Sequence, residues 1–513
     1  MKVKKLLASL LAATMLLGMM SFPAFAAAEP SLPMEDGIYI IANSEAYEMF
    51  CSDVANGVTY DGLTVKLTND IITDKMVGDA SRIASVLTGK VFKGIFDGGE
   101  NTITFTYALD TNSNSQKGVG IFAGLDGAVV QNLNAAVTIE VKQSEYAVGG
   151  IAGYMVKGAE VRNCHVSGSI TAVEDAGGIV GKGMANAKVM GSTNAAAVTT
   201  TDGKTGGIAS AMYYTPQEPG AMLIDGCTNT GAITCTNGGY SAGIVGLSTA
   251  AWIKNSKNEG KVTVAGSSGG GIVGDSQYGT VIESCENAGM IENTNASGYG
   301  TGGIVGWIRY NTNSSYANIP ADRCQIIDCV NRGEMISTGG KIGGVAGTVY
   351  DAVVMNGCEN YGKITAGSMS GGVIGNYQES DATMPEILAI PGRVQVENCS
   401  NFAKTMNLTG GVVGAFIGHM PNYAEGKFHF VNTGSVAVTN QADSAILPTG
   451  GYYDQVVPEG IAQVVTEEDN LSDIISNAAP GSVISLAPGT YDGMIAIEKP
   501  ITLKGLEGAA IAG

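Results

Sequence analysis

Between about residues 118 and 440 the apolar positions fall in short, β-branched runs broken by glycine and polar residues. Such runs suit strands and turns and do not sustain a helical period. One run is a pentapeptide that keeps returning. It reads GGIAG from Gly149, GGIVG from Gly177, GGIAS from Gly206, AGIVG from Ala242, GGIVG from Gly270 and Gly302, GGVAG from Gly343, GGVIG from Gly371 and GGVVG from Gly410. GIFAG from Gly120 is a divergent first copy. The start-to-start spacings are 29, 28, 29, 36, 28, 32, 41, 28 and 39 residues, a unit near 28 with insertions, which marks a stacked repeat.

A second segment follows each pentapeptide and reads apolar-x-x-Cys-x-Asn-x-Gly-x-apolar. IDGCTNTGAI from Ile224, IESCENAGMI from Ile282, IIDCVNRGEM from Ile326 and MNGCENYGKI from Met355 are clear copies. VRNCHVSGSI from Val161, IKNSKNEGKV from Ile253 and VENCSNFAKT from Val396 are weaker ones. Two or three short strands per unit make one coil of a parallel β-helix, whose open edges are satisfied only by stacking on neighbours. The predicted fold is all-β, a parallel solenoid of about ten coils, roughly 50 Å long at about 4.8 Å per coil.

Asparagine recurs as Asn194, Asn229, Asn258, Asn287, Asn331, Asn360, Asn401 and Asn432. Same-position amides on successive coils predict a hydrogen-bonded ladder, and asparagine also tolerates a left-handed bend. Cys164, Cys227, Cys285, Cys329, Cys358 and Cys399 share one slot with Leu133, Ser192, Ser256 and Phe430. A slot that accepts all four residue types reads as a buried column of free thiols. Disulfides between adjacent coils stay open, because the Cα spacing there is allowed. The cysteines lack a C-x-x-C pair and an accompanying histidine, so neither zinc nor any other metal or cofactor is expected. Cys51, Cys235 and Cys324 fall outside the column.

The pentapeptides and C-x-N-x-G segments resemble the GLUG-repeat family of bacterial secreted and cell-surface proteins over about residues 118–440. AYEMFCSDVANGVTYDGLTVKLTNDI from Ala46 and VFKGIFDGGENTITF from Val91 look like the lead-in to such repeats. The resemblance implies a right-handed β-helix at the bacterial surface, in some members attached to IgA-cleaving metallopeptidases. It implies no single activity.

The first residues point to export. Lys2, Lys4 and Lys5 precede an apolar stretch from Leu6 to Met20, and Ala24-Phe25-Ala26 offers a cleavage site after Ala26, with Ala28 as the alternative. No cysteine marks a lipoprotein cut, and no other apolar run is long enough to span a bilayer. Leu447-Pro448-Thr449-Gly450 lacks the remainder of a sortase signal. A secreted or surface location is expected, with no membrane insertion. Loss of three signal lysines moves the net charge from −19 to −22, which argues against nucleic acid and anionic membrane as partners.

Insertions are the predicted place for function. The connection from a pentapeptide to the next apolar-x-x-Cys is 6 or 7 residues in five copies and 12 to 20 in four, after Ser210, Gly306, Gly375 and Gly414. Leaving one corner of the rod, these make a ridge of loops. Nine of the 13 tyrosines between Gly120 and Val436, and both tryptophans, lie in these connections. The segment WIRYNTNSSYANIP from Trp307 is the densest. Trp307, Tyr310, Tyr316, Tyr213, Tyr214, Tyr377 and Tyr423 are therefore the candidate ligand-binding residues, exposed amphipathic aromatics being a binding composition. The competing reading is that they merely cover the coil ends.

Catalytic signals are thin. The three histidines, His165, His419 and His429, begin no HExxH, and no GxSxG elbow is present, so no catalytic residue is assigned. At the start, Asn43 or Ser44 caps an amphipathic helix carrying Tyr47, Phe50 and Val54, closing an open β-edge. Toward the other end, Thr466-Glu467-Glu468-Asp469 reads as a capping box before a stripe of Leu471, Ile474, Ile475 and Ala478. SVISLAPGTYDGMIAIEKPITLKG from Ser482 then resembles the opening of pectate-lyase-like β-helix domains.

The expected organisation is a signal peptide (1–26), a cap and lead-in (27–117), the solenoid (118–445), a linker (446–465) and the start of a second, incomplete β-helix (466–513). The expected role is non-catalytic binding or display at the bacterial surface, adhesin-like, with a glycan or an extracellular protein as ligand. One alternative is the front part of a polysaccharide-degrading enzyme or surface peptidase whose catalytic domain lies beyond residue 513. The other is a pure spacer.

Overall fold

The computed structural model describes residues 29–512, apart from 84–85, 111–116, 145, 215–221, 296–297, 310–323, 339–340, 351–352, 367–369, 379–393, 404–405, 409–412, 415–416, 420–427, 432, 437–460, 466–469, 478–482, 487–488, 493–494, 499 and 506–508. Within these the chain winds as a β-solenoid of about ten turns, built of parallel sheets that run its length. One coil shows the path. A strand at Asn134–Val141 leads to Ala147–Gly149, turns at Gly150 and Ile151, and continues as Ala152–Val156. A second turn leads to Glu160–Arg162, and a third to the next coil at His165–Ala172.

Each position pairs with its counterpart one coil on. Ile170 lies beside Val198, then Ile233, Val262, Ile291 and Met335 in succession. The middle residue of the pentapeptide makes another such column, Ile151, Ile179, Ile208, Ile244, Ile272, Ile304, Val345 and Val373, none with any exposed surface. Full burial of one such side chain contributes about 1.5–3 kcal/mol, so the β-branched periodicity is the core itself.

The two sequence signatures explain each other. The first glycine of the pentapeptide ends one strand, and the second sits at the corner against the asparagine column. A Cβ on Gly207 would lie 2.3 Å from Cγ of Asn229, and one on Gly243 only 2.1 Å from Cγ of Asn258. The amide of each asparagine fills the space a side chain would need. Asn194, Asn229, Asn258, Asn287, Asn331, Asn360 and Asn401 then form the predicted ladder, with Nδ2 of each donating to Oδ1 of the next at 2.7–2.9 Å. Each of the first six also donates to the carbonyl two residues on, at 3.0–3.3 Å. Asn432 lies outside the described residues. The left-handed bend falls elsewhere, just before the cysteine slot, at Asn163 (φ 52°), Gly191 (54°), Gly226 (63°), Asn255 (49°), Asp328 (51°) and Asn398 (53°).

All six slot cysteines are buried and free, as are Cys51, Cys235 and Cys324. The Cys227 thiol donates to the Val189 carbonyl at 3.5 Å, while the hydroxyls of Ser192 and Ser256 accept the N–H of Cys164 and Cys227 at 3.1 and 3.2 Å. Burial pushes the thiols of Cys164 and Cys227 up to about 12. Cys235 continues an inward column between Thr200 and Val264.

At the start, α1 (Ser44–Ala55) is capped by Asn43, whose Oδ1 accepts the Ala46 N–H at 2.9 Å. It buries Tyr47, Phe50 and Val54, and the Phe50 ring meets Tyr60, Phe92, Phe96 and Phe122 at 5.3–6.4 Å. Toward the other end, α2 (Leu471–Asn477) buries Leu471 and Ile475. Its first turn is capped by Asn470, whose Oδ1 accepts the Asp473 N–H at 3.2 Å. The capping box at 466–469 and the signal segment 1–26 lie outside the described residues. Strands Ile461–Val465, Val483–Leu486 and Thr502–Gly505 pair in parallel, the first of them beside Thr433–Val436. Among the described residues no helix is long and apolar enough to cross a membrane.

Candidate functional site: an aromatic and cationic strip

The strands before and after the pentapeptide corner fold back on each other, which aligns two side-chain columns. Two residues before the pentapeptide stand Lys204, Tyr240, Ser268 and Gly300, paired coil to coil, with Asp175 before them and Lys341 after them next in register. One residue after it stand Tyr154, Lys182, Ala211, Leu247, Asp275, Trp307 and Thr348. Most repeat positions vary within one chemical type, but these two columns carry lysines, carboxylates and aromatic rings.

One cluster centres on Asp175. Its carboxylate lies 2.5 Å from Lys182 Nζ and 3.4 Å from Lys204 Nζ, and it accepts the Lys204 N–H at 2.8 Å. Burial alone would raise this carboxyl, but Lys182 and Lys204 outweigh it and hold the group below its ordinary value. Lys204 is in turn raised by Asp175 and Tyr213 in spite of its own burial.

The second cluster is built on Asp275, which is fully buried. Arg309 clamps it with two bonds, Nη2 to Oδ2 at 2.6 Å and Nε to Oδ1 at 3.2 Å, and Gln277 donates to Oδ2 at 2.6 Å. Burial pushes the Asp275 carboxyl up against the pull of Arg309. The same ion pair raises Arg309 although burial opposes it. Thus anchored, the guanidinium sits 4.2 Å from the Trp307 ring centre and 5.9 Å from that of Tyr240. Tyr299 lies flat on Trp307, with centroids 3.9 Å apart and planes 7° apart, while Tyr240 and Tyr350 flank the tryptophan at 6.2 and 5.8 Å. The Thr348 hydroxyl donates to the Tyr299 carbonyl and ties down the segment that carries the upper ring. Trp307 is 6% exposed and Tyr299 43%, so the tryptophan is a pedestal and the tyrosine the surface. Trp307 Nε1 is buried without a hydrogen-bond partner among the described residues. A fixed flat ring beside a fixed guanidinium offers stacking and directional donation together.

The expected exposed ridge is therefore corrected at several positions. Trp307, Tyr214 and Tyr377 are buried, and Tyr213 is half-buried beside Lys204. The reason is that the strand runs on past the pentapeptide. The first residue beyond it leaves the core but is covered from the strand before the corner, as Trp307 is by Tyr299, and the second packs into the core, as Tyr377 does beside Val349. Tyr310, Tyr316 and Tyr423 lie outside the described residues. Trp252 is 39% exposed on another face, with Lys254 Nζ 4.7 Å from its ring centre. Sequence reasoning missed Tyr240, Tyr299, Lys341, Asp275 and Arg309, because attention went to the connections of variable length. Aligning the repeats on the position two before each pentapeptide would have shown Asp175, Lys204, Tyr240 and Lys341 in one column. Elsewhere, His165 Nδ1 bonds Thr193 Oγ1 at 2.7 Å in a shallow groove of about 240 Å³ lined also by Thr102 and Asn134. Among the described residues no three metal-ligating side chains come together.

Residues 144–171 match the family model for the GLUG motif. That span runs from one corner pentapeptide to the strand of the next coil, so the fold and the motif describe one object, a GLUG-bearing β-solenoid. Two solved structures are similar to the chain. One is a candidate immunoglobulin A1 protease from Bacteroides ovatus, 20% identical, with a TM-score of 0.39, covering 53% of this chain and 84% of that one. The other is a mutant of the PL6-family alginate lyase AlyGC, 11% identical, with a TM-score of 0.22, covering 92% of this chain and 68% of that one. Neither carries chemistry over to this chain. No curated protein matches it.

Proposed function

We propose that the chain is an exported bacterial surface solenoid with a non-catalytic binding or display role, and that it holds its ligand, a glycan, at the Tyr299–Trp307–Arg309 cluster. Export rests on the basic and apolar leader of residues 1–26 and its small-residue cleavage site. The binding reading rests on one observation above all: an exposed tyrosine ring stacked flat on a buried tryptophan, beside an arginine fixed by a buried aspartate. Maintaining that arrangement costs the desolvation of Asp275, which a mere spacer has no need to carry. An extracellular protein is the competing ligand.

The test is glycan-array binding of the mature chain beside a Tyr299→Ala variant, which removes the exposed ring and leaves the Asp275–Arg309 pair intact. Binding of at least one glycan class that the variant loses supports the proposal. Equal binding by both proteins, or release of unsaturated or reducing sugar ends from a bound polysaccharide, sinks it.

A further inference from the structure

The chain as a whole is strongly acidic, with a net charge of −19, yet the strip is not. Lys182, Lys204, Arg309 and Lys341 face two carboxylates, Asp175 and Asp275. Both acids are inside, with side chains 4% and 0% exposed, whereas Lys204 and Arg309 keep 25% and 26% of theirs in solvent. What a ligand meets is therefore positive. The two clusters are electrostatically continuous, since Lys204 acts on both Tyr240 and Asp275.

Lys341 is the telling residue. It is half-buried, and unlike the other three cations it has no carboxylate within ion-pair distance among the described residues. Burial lowers its pKa, and no described group opposes that shift. Its own carbonyl accepts the Thr301 N–H at 2.8 Å, two residues from Tyr299. Half-burying a lysine without a counter-ion is unfavourable, and an anion arriving from outside would offset that cost. The hydroxyls of Tyr240, Tyr299 and Tyr350 bond to no described residue, which leaves polar groups at the ring edges for a hydroxylated partner. From Lys204 to Lys341 is four coil steps, roughly 19 Å at about 4.8 Å each. A linear chain laid along the axis would meet Lys204, Tyr240, Arg309, Tyr299 and Lys341 in succession.

We infer that the strip selects anionic glycan chains, carboxylated or sulfated, over neutral ones, with the acid group of one sugar seated at Lys341. This rests on the glycan reading above and adds the charge to it. A folded polypeptide would not supply the repeated ring faces and acid groups at a short, regular spacing along one axis.

The experiment is affinity electrophoresis and calorimetry of the full mature chain with four probes: polygalacturonate, dextran sulfate, unsubstituted dextran and polyglutamate. The variants are Lys341→Gln, which orphans no described buried group because Lys341 has no partner among the described residues, and Tyr299→Ala. The expected result is retention by polygalacturonate or dextran sulfate, weakening with salt, and about a tenfold loss of affinity in Lys341→Gln. Which of the two polymers binds identifies carboxylate or sulfate as the group recognised. Equal binding of dextran, with Lys341→Gln behaving as wild type, overturns the charge selection and leaves the glycan reading standing. Binding to no polysaccharide overturns both. Polyglutamate held as tightly as either anionic glycan shows an acidic-peptide site and overturns the inference.

Discussion

Asn258 sits in the middle of the amide ladder and has no exposed surface. It donates to Asn287 Oδ1 at 2.8 Å and to the Gly260 carbonyl at 3.0 Å, and it accepts from Asn229 at 2.9 Å. In Asn258→Ala two ladder bonds go, Asn287 Oδ1 loses its ladder donor, and Asn229 Nδ2 keeps only the Gly231 carbonyl. At about 1–3 kcal/mol for each buried polar group left unpaired, the loss should be roughly 2–5 kcal/mol. Asn258→Asp keeps the shape but replaces a donor with an oxygen that faces another oxygen. Burial will raise the folded-state pKa of that new carboxyl above the unfolded value of about 3.9. Its stability is then fully present below about pH 4 and lost as pH rises through the folded value. Repeat arrays unfold in segments, so the assay is urea unfolding by circular dichroism combined with hydrogen exchange of residues 229–289. An Asn258→Ala protein within about 0.5 kcal/mol of wild type, or an Asn258→Asp protein with the same stability at pH 4 and 7, refutes the ladder as a stabilising device.

Three further outcomes follow from the same geometry. Gly243→Ala forces a Cβ to within 2.1 Å of Asn258 Cγ and should cost about 1–3 kcal/mol, while the same change at Gly158, with nothing within 4 Å, meets only its left-handed φ of 74°; matching losses at both sites in urea unfolding would contradict the packing argument. Asp175 is held below its ordinary value by Lys182 and Lys204, so its contribution is present above about pH 4 and fades as pH falls through the lower folded value; an Asp175→Asn penalty that does not shrink on acidification would count against it. The nine cysteines are buried and free, with Cys164 and Cys227 pushed up to about 12, so the native protein should resist a thiol reagent at pH 8 over minutes and react fully in denaturant; rapid labelling of the folded chain would show the column to be open.

Much of the architecture was legible because solenoid stacking turns one structural position into a column of like residues. The pentapeptide, the asparagine and the cysteine each recur for a reason that one coil imposes on the next. The left-handed bend was less legible because it has no fixed residue type: Asn163, Gly191, Ser284 and Asp328 all adopt it. The site was harder still. The sequence places Trp307 in a loop, whereas it lies on the strand Val305–Arg309, since the end of a strand leaves no mark when the chain runs on without a turn signal. Tyr299 comes 8 residues before Trp307 in sequence and reaches it only because the corner folds one strand back over the other. Asp275 and Arg309 lie on neighbouring coils in adjacent columns, and a partnership 34 residues apart shows no local pattern.

Trp307 also reports directly on the proposed binding surface. The chain has two tryptophans, so Trp252→Phe leaves Trp307 as the sole one, under the Tyr299 ring. Titrating that variant with polygalacturonate and dextran sulfate while following its fluorescence tests the central claim most directly. A saturable change in Trp307 emission, abolished by Tyr299→Ala, is the result predicted. Binding seen by calorimetry with Trp307 emission unchanged, or a change that persists without Tyr299, would place the ligand elsewhere and contradict the account.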